Sequence, residues 1–364
     1  MADTEITIIG AGATGLSIAK YLSEQNKEVI LLDKEPKWGM GISSRNSEVL
    51  HAGLYYPSDS LKTEFCIEGN RLIRNYCKQK GIEIKENGKL IVGWTKEHQS
   101  QLESMFKHAS EIGVKLQKLT KNRISDYEPS VKAEFALFSP STAVFDVSSF
   151  LHSLYRDAEN AGATGLLGVK VTDISQIGEN LLIHGTDIDG EEFELETEVI
   201  INSAGLYSDF IAQKAGFDIK RKKLELHWCK GDYFGVSPEA GNFLRPVYPL
   251  PDKYGLGIHI TPDIGGQIKL GPDTEFIPKI ENYEVSPNKQ DIFFNSVSSF
   301  FPSLTKDHIF PLMSGIRPKL QGPDDSFKDF YIKKENLNFI NLIGIESPGL
   351  TASMAIGKYV SDLL

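Results

Sequence analysis

Short apolar runs and one amphipathic segment make up the first 33 residues of the chain. Residues 6–9 are apolar or β-branched, which predicts a buried strand. Leu16, Ala19 and Leu22 then recur at helical spacing, which predicts a helix with one apolar face. A second apolar run at residues 29–32 predicts another strand. The chain therefore opens with a strand, a helix and a second strand.

Similar patterns continue to the C-terminus, with helices and strands mixed at first and strands crowded together later. Amphipathic stretches predict helices over residues 61–80, 97–113, 147–162, 207–215 and 292–300, and a last helix that opens at 346–351. Apolar runs predict strands over residues 88–92, 166–171, 198–202, 224–236, 247–250, 255–261, 267–270 and 339–344. The short strands between residues 224 and 270 are separated by turn residues, which predicts an antiparallel sheet.

A glycine-rich turn, residues 10–15 (GAGATG), joins the first strand to the first helix. Gly10 permits a tight turn, Gly12 lets the backbone approach a pyrophosphate, and Gly15 lets the helix pack against the strand. Asp33 ends the second strand at the spacing of an acid that binds an adenosine ribose. The pattern predicts a dinucleotide site, with an ordinary turn of small residues as the alternative. By itself it does not separate FAD from NAD.

Composition narrows the classes of protein that the chain can belong to. Its 364 residues are typical of about two domains. It carries 39 basic and 49 acidic residues, a net charge of −10, so nucleic acid is not expected as a partner. The three cysteines match no metal spacing, and the sequence shows neither a secretory signal nor an apolar run of about 20 residues. We expect a cytoplasmic protein with reduced thiols and no metal.

Two further strand-to-helix junctions resemble the first. The strand over residues 198–202 runs into Ser203, Ala204 and Gly205, and the strand over 339–344 leads into the last helix. A helix N-terminus beside small residues offers backbone N–H groups to an anion or to a polar ring edge. Three such junctions, far apart in the chain, predict a sheet built from discontinuous segments that binds one long cofactor, FAD.

Several segments resemble one known family of flavoenzymes. They are residues 43–57 (SSRNSEVLHAGLYYP), 230–233, 248–252, 257–261, 270–273 and 344–353 (GIESPGLTAS). In this order, over nearly the whole chain, they are similar to the FAD-dependent L-2-hydroxyglutarate dehydrogenases and their bacterial relatives, within the D-amino-acid oxidase and glycine oxidase superfamily. Residues 43–47 and 315–319 look like a bacterial subgroup known only as FAD-dependent oxidoreductases, which leaves the exact substrate open.

The resemblance implies the fold class and the division of the chain. We expect a mixed α/β fold, α+β overall, in which a Rossmann-like FAD-binding domain of the glutathione-reductase type is interleaved with an antiparallel-sheet substrate domain. The FAD-binding domain would comprise residues 1–85, 143–220 and 310–364, and the substrate domain residues 86–142 and 221–309. The implied cofactor contacts are Gly10, Gly12, Thr14, Gly15, Asp33, Lys34, Ser44, Arg45, Asn46, Ser47, Val171, Ala204, Gly205, Gly315, Pro348, Gly349, Leu350 and Thr351.

His51 lies in the segment that resembles a flavin loop. An imidazole with an ordinary pKa of ~6.5 accepts a proton near neutral pH, and the resemblance implies that His51 is the base for a substrate hydroxyl. A hydrogen-bonded structural histidine and a covalent attachment point for the flavin are the alternatives. Its flanking residues resemble a branch without the covalent bond, so we expect His51 to be free.

Five other side chains are candidates for substrate binding. Arg317, which follows a predicted strand, offers a planar fork that matches a carboxylate, as an arginine late in the chain does in related oxidases. Its alternative is a surface or pyrophosphate-neutralising role. Tyr248 and His259 lie on the predicted antiparallel strands and are either substrate ligands or core residues. Lys62 and Lys230 are either ligands of a second carboxylate or solvated lysines.

Together these residues imply a reaction. An L-2-hydroxy acid, L-2-hydroxyglutarate by resemblance, would lose a hydride from C2 to flavin N5 and its hydroxyl proton to His51, giving 2-oxoglutarate. The related dehydrogenases are quinone-linked, which implies a peripheral contact with the membrane; oxygen and a soluble carrier are the alternatives. Two other functions stay open: an oxidase or dehydrogenase of the glycine or sarcosine type that acts on a 2-amino acid, and a flavin-bearing assembly factor without turnover.

Overall fold

A computed structural model describes residues 2–251, 257–336 and 338–364. Within these ranges the α-helices are α1 (Ala13–Glu24), α2 (Leu61–Lys80), α3 (Lys96–Glu111), α4 (Lys121–Tyr127), α5 (Val147–Asn160), α6 (Ser208–Lys214), α7 (Gln290–Val297) and α8 (Gly349–Ser361). Short 3₁₀ helices lie at Ile42–Ser44, Gly205–Tyr207, Pro238–Ala240, Pro287–Lys289 and Lys306–His308.

The strands of the same ranges are β1 (Thr4–Ile9), β2 (Val29–Asp33), β3 (Val49–Leu50), β4 (Ile84–Lys85), β5 (Lys89–Gly93), β6 (Gln117–Thr120), β7 (Phe135–Ser139), β8 (Ala143–Phe145), β9 (Thr164–Leu167), β10 (Lys170–Ile177), β11 (Asn180–Thr186), β12 (Glu192–Asn202), β13 (His227–Val236), β14 (Val247–Tyr248), β15 (Ile260–Pro262), β16 (Ile268–Leu270), β17 (Glu275–Ile277), β18 (Ile309–Lys319), β19 (Tyr331–Asn336) and β20 (Phe339–Ile343).

One sheet of eight strands has a parallel centre. β1 lies between β2 and β12, and β9 and β20 extend the parallel part on either side. β10 and β11 continue from β12 as an antiparallel ladder, and β19 pairs with β20. Because parallel strands end at the same edge of a sheet, the segments that follow β1, β2, β12 and β20 meet there. The three glycine-rich or proline-rich junctions of the sequence are therefore neighbours in space.

Helices α1, α2, α5 and α8 share the core that covers this sheet. Ile8 of β1, Leu16 of α1, Phe150 of α5 and Ile356 of α8 are all fully buried in it. The bounds of α2 match the predicted helix over residues 61–80. Its start is set by the Ser60 hydroxyl, which accepts a hydrogen bond from the Thr63 N–H, as an N-cap serine commonly does.

A second sheet of nine strands is largely antiparallel. Its order is β17, β13, β16, β15, β14, β5, β7, β6, with β18 along β13. Phe234, Val247, Phe293 and Phe300 lie in the separate core beneath it. β3, β8 and β4 form a small third sheet. The predicted mixed α/β fold with an antiparallel second sheet is confirmed.

Several predictions of strands differ from the structure; the strand over residues 224–236, for example, begins only at His227 as β13. The predicted strand over residues 166–171 is two strands, because Gly168 has a left-handed φ of 83° and turns the chain between β9 and β10. Arg317 lies within β18, paired with Cys229, instead of following a strand. Residues 252–256 lie outside the described residues; they include the last residue of the similar segment 248–252 and the first two residues of the predicted strand 255–261.

The division into two interleaved domains stays a prediction. The first sheet is formed by residues assigned to the FAD-binding domain, whereas β18, which lies largely within the predicted segment 310–364, is hydrogen-bonded to β13 of the second sheet.

Within the described ranges no helix has the length and apolar character that a membrane span requires.

Candidate active site

A cavity of about 970 Å³ is lined by residues from both large sheets. The four side chains predicted to take part in the chemistry, His51, Tyr248, His259 and Arg317, all line it. Every predicted cofactor contact except Gly15 and Ser44 lines the same cavity. The Ser44 hydroxyl instead donates to backbone carbonyl groups of its own loop. The structure thus brings together residues from the first, middle and last parts of the chain.

Close approach of backbone segments explains the glycines of the first turn. Gly10 has a φ of 109°, and a Cβ there would lie 2.4 Å from the Ser203 carbonyl oxygen. A Cβ at Gly15 would lie 1.9 Å from the Gly10 carbonyl oxygen, so Gly15 serves the packing of α1 behind the turn. A larger residue at either position would displace the backbone that borders the cavity.

The N-terminus of α1 points to the cavity through Gly12, its N-cap residue. The Ala13 N–H donates to the Ser43 hydroxyl at 2.9 Å, so the loop after β2 covers part of this helix end. Ser43 also lines the cavity, and the sequence analysis missed it. A helix N-terminus with small residues on the cavity side suits a phosphate group.

Asp33 supports the glycine turn in addition to lining the cavity. Its Oδ2 accepts from the Ala11 N–H at 2.7 Å and its Oδ1 from the Glu35 N–H at 2.9 Å. Burial raises the pKa of this carboxyl group. The neighbouring Lys34 forms ion pairs with Glu35 and Glu281 at 2.7 and 3.1 Å. Both predicted contacts therefore face the cavity while bonded to other residues of the chain.

The loop that contains Arg45, Asn46 and Ser47 is held by its own side chains and by Tyr283. The Asn46 amide donates to the Ser43 carbonyl at 2.7 Å and accepts from the Glu48 N–H at 2.8 Å. The Arg45 guanidinium lies 3.9 Å from the ring centre of Tyr283. These contacts fix the loop against the cavity wall.

The second and third junctions complete the cavity wall. The Ser203 hydroxyl donates to the carbonyl groups of Ile9 and Gly10, both at 3.1 Å, which ties the second junction to the first. At the third, the His51 N–H donates to the Thr351 hydroxyl at 3.0 Å. This bond joins the loop that carries the candidate base to the first turn of α8.

These features fit FAD. Backbone N–H groups and small residues from all three strand-to-helix junctions border the cavity, which is the lining that a pyrophosphate requires. Gly10, Gly12 and Thr14 would hold the pyrophosphate, and the Ser47, Gly349 and Thr351 region would hold the isoalloxazine ring. These assignments to individual residues remain predictions.

His51 and His259 are neutral at physiological pH. Burial lowers the pKa of each imidazole to about 3, and the positive charge of Lys89 contributes to both shifts. The ordinary pKa assumed from the sequence for His51 was therefore wrong for this environment, because the ring is desolvated. A neutral imidazole has a lone pair that accepts a proton, so the structure leaves the base role available.

Tyr248 and His259 present polar atoms that have no partner among the described residues. Their rings are stacked, with centres 3.8 Å apart. His259 Nδ1 lies 3.0 Å from the Gly257 carbonyl and must donate to it, so Nε2 carries the lone pair. Nε2 and the Tyr248 hydroxyl are both buried without a hydrogen bond. Because such groups are costly to leave unpaired, they mark positions for polar atoms of a ligand.

Arg317 is anchored on one side and free on the other. Nη2 donates to the Asp273 carbonyl at 3.0 Å and to the Thr274 hydroxyl at 3.2 Å. Within the described parts of the chain Nη1 makes no hydrogen bond, and the side chain lines the cavity. The anchored guanidinium can therefore bind a carboxylate through its remaining N–H groups.

A buried ion cluster lies at the same end of the cavity. Lys62 forms an ion pair with Glu346 at 2.9 Å, and Lys319 approaches the same carboxylate at 3.4 Å. All three residues line the cavity. Lys230, the other lysine singled out in the sequence, donates to the Glu284 carbonyl and does not line the cavity.

Several lining residues escaped the sequence analysis. Lys319 could have been predicted, because it is two positions after Arg317 and alternate residues of a strand share a face. Glu346 lies in a segment that was recognised as similar but not assigned a role. Tyr55 and Tyr56 had no signal of their own, since adjacent tyrosines are common in apolar loops.

The family model described as DAO, FAD dependent oxidoreductase, matches residues 5–363 of the chain. A mitochondrial L-2-hydroxyglutarate dehydrogenase of Arabidopsis thaliana is 34% identical over 400 residues, covering 98% of this chain and 83% of that protein. An L-2-hydroxyglutarate dehydrogenase of Indibacter alkaliphilus is 25% identical over 402 residues, covering 99% of this chain and 98% of that protein.

Solved structures show the same fold. The dithionite-reduced L-α-glycerophosphate oxidase of Mycoplasma pneumoniae, with FAD bound, superposes with a TM-score of 0.89 at 24% identity and covers 99% of this chain and 94% of its own. Glycine oxidase of Geobacillus kaustophilus superposes with a TM-score of 0.83 at 20% identity and covers 100% of this chain and 95% of its own. At these identities the likeness concerns the fold alone.

Proposed function

Because the chain belongs to the DAO family of FAD dependent oxidoreductases, we propose that it oxidises an L-2-hydroxy acid to a 2-oxo acid, with L-2-hydroxyglutarate as the substrate and 2-oxoglutarate as the product. The relatives from Arabidopsis thaliana and Indibacter alkaliphilus carry names that support this substrate. The bound cofactor is FAD.

The observation that carries the proposal is the charge at one end of the cavity. Lys62, Lys319 and Arg317 place three positive charges there, and the carboxylate of Glu346 neutralises one of them. L-2-Hydroxyglutarate would bring two carboxylates, which matches the excess of positive charge. A monocarboxylate such as glycine or L-lactate would leave part of that excess unpaired, at a cost in binding free energy.

Each end of the substrate has a matching group. Arg317 would bind the C1 carboxylate through the N–H groups that the chain leaves free, and Lys319, with Lys62, would bind the C5 carboxylate. The unpartnered Tyr248 hydroxyl would donate to the C2 oxygen. Two charged contacts at opposite ends of one molecule fix its position without contacts to the carbon chain.

The chemistry is divided between cofactor and chain. When bound, FAD would supply the acceptor for the hydride on C2. His51 receives the proton of the hydroxyl group, since its imidazole is neutral across the physiological range. The proton and the hydride leave the same H–C–O–H unit, which becomes a carbonyl group.

We further propose that the enzyme is cytoplasmic and delivers its electrons to a membrane quinone. The support is the resemblance to quinone-linked dehydrogenases. Oxygen as the acceptor would instead release hydrogen peroxide, and a soluble carrier would require neither oxygen nor membrane. Comparing turnover with a soluble quinone analogue and with oxygen distinguishes these acceptors.

The proposed function is tested by turnover of the purified holoenzyme with an artificial electron acceptor and a panel of 2-hydroxy and 2-amino acids. We expect L-2-hydroxyglutarate to have the highest kcat/KM and 2-oxoglutarate to be the product. A preference for glycine or sarcosine, with release of an amine or ammonia, would favour the alternative amine-oxidising function. Absence of turnover with every acid would favour a role without catalysis.

Lys319→Met should reduce selectivity for a dicarboxylate. A charge-assisted hydrogen bond contributes ~1.5–3 kcal/mol, so kcat/KM for L-2-hydroxyglutarate should fall by about ten- to a hundredfold. For L-2-hydroxybutyrate, which lacks the second carboxylate, kcat/KM should change by less than about threefold, since no contact is lost. Steady-state kinetics with the two acids measure this difference.

Lys333→Met is the matched control, because Lys333 is an exposed lysine of β19. It should leave both values unchanged. An equal loss for both acids in Lys319→Met would assign Lys319 to the active-site structure instead of the second carboxylate.

A further inference from the structure

Lys89, the first residue of β5, is completely buried. Its Nζ donates to the Tyr55 hydroxyl at 2.9 Å and lies 4.5 Å from the ring centre of Tyr55 and 4.3 Å from that of Tyr248. None of the ion pairs formed among the described residues includes it. Lysines are almost never fully buried unless paired, so this side chain requires an explanation.

The groups that face Lys89 provide no negative charge. Tyr55 follows β3, Tyr248 lies on β14 and Cys66 on α2; His51 and His259 are the other titratable neighbours. Burial raises the pKa of the Cys66 thiol to about 12 and raises the pKa of both phenols, so these groups are uncharged near neutral pH. The two aromatic rings offset only part of the cost of a buried ammonium group.

A substantial fraction of Lys89 is consequently in the neutral amine form at physiological pH. Desolvation lowers the pKa of Lys89 to about 7. The two histidines that line the cavity respond to its charge, because the ammonium form lowers the pKa of both. In the proposed reaction His51 has to become an imidazolium, and a second positive charge nearby opposes that change.

We propose that Lys89 is a positioning residue that controls His51 by charge: the reaction proceeds when Lys89 is a neutral amine held by the Tyr55 hydroxyl, and the ammonium form of Lys89 suppresses it. This inference rests on the proposed function, since it assumes that His51 accepts the hydroxyl proton. Lys89 itself does not line the cavity. It acts on the substrate only through His51, Tyr55 and Tyr248.

The proposal fixes the sign of the pH dependence. His51 in the free enzyme is already neutral above about pH 3 and adds no inflection between pH 6 and 8. The pKa of Glu346 is lowered, so its carboxylate is ionised over the same range. With a pKa of about 7, Lys89 is about 10% neutral at pH 6 and about 90% neutral at pH 8. The value of kcat/KM should therefore rise about tenfold between these pH values.

The test compares this profile in the holoenzyme and in three variants. In Lys89→Met, kcat/KM should vary by less than about twofold between pH 6 and 8 and should exceed the wild-type value at pH 6, because no charge opposes His51. Lys89→Gln, which keeps a donor for Tyr55, should behave in the same way. Lys89→Arg, which is always charged, should be slow at every pH. FAD absorbance and thermal unfolding are measured in parallel to confirm folding.

Each result bears on the proposal. A wild-type profile without an inflection between pH 6 and 8 overturns it without any variant. Lys89→Met or Lys89→Gln with the wild-type inflection also overturns it, as does loss of activity at all pH values with FAD retained, which would show that the charge is required. Failure of the proposed function would look different, because no 2-hydroxy acid would then reduce the bound flavin at any pH.

Discussion

Arg317→Met is expected to lower kcat/KM for L-2-hydroxyglutarate by about a hundredfold or more while FAD content stays at the wild-type level. Removing one partner of a buried charge pair costs ~2–5 kcal/mol, because the other partner is left desolvated and unpaired. Arg317→Lys keeps the charge but loses both the planar fork and the bonds to Asp273 and Thr274 that hold it in place. We expect a loss of about ten- to a hundredfold for that variant. Steady-state kinetics and the ratio of flavin to protein absorbance measure the two effects.

Arg221→Met provides the matched control, since Arg221 is an exposed arginine that does not line the cavity. It should change neither kinetics nor FAD content. If Arg317→Met loses its flavin, Arg317 belongs to the cofactor site and the carboxylate assignment is wrong. Near-wild-type kcat/KM with FAD bound would likewise contradict it.

Gly12→Val is expected to yield a folded protein that purifies without FAD. A Cβ at Gly12 would lie 3.1 Å from the Ser43 hydroxyl, which already bonds the first turn of α1. The two methyl groups of valine would extend from there into the space beside the helix N-terminus that suits a phosphate. The absorbance spectrum of the purified protein shows the loss directly, and circular dichroism shows whether the fold is retained.

The same substitution in another turn separates the cofactor site from general effects of valine. Gly265 lies in a turn between β15 and β16, does not line the cavity, and has only ordinary contact distances around a Cβ. Gly265→Val should remain yellow. A yellow Gly12→Val protein would show that the cofactor backbone does not approach this glycine.

Sequence patterns predicted the parts of the fold that follow local rules. The bounds of α2 follow from the Ser60 cap and the helical spacing of apolar residues, and both are local. The glycine turn is also local, so its place beside β1 and α1 could be predicted. β11 could not, because Leu181 and Ile183 form only a short alternating run whose pairing with β10 and β12 is set by tertiary contacts.

The candidate site could be predicted only in part for a similar reason. Arg317 and His51 were found through residue type and family resemblance, and the structure places both on the same cavity. The pKa of His51 could not be predicted, because it depends on burial and on Lys89, which is remote in sequence. Lys89 was missed because a single lysine at the start of an apolar strand is normally solvated. Only the tertiary structure shows that it is enclosed.

The central claim is that the bound FAD is reduced by L-2-hydroxyglutarate in this cavity. The most direct measurement is anaerobic mixing of the purified yellow protein with L-2-hydroxyglutarate in a stopped-flow spectrometer, with the D enantiomer, L-2-hydroxybutyrate and glycine as parallel samples. No electron acceptor is needed, so its identity does not affect the result. We expect the L enantiomer to bleach the flavin absorbance completely and fastest, with 2-oxoglutarate formed in equal amount to the flavin reduced. A flavin that glycine bleaches and L-2-hydroxyglutarate leaves oxidised would contradict the account.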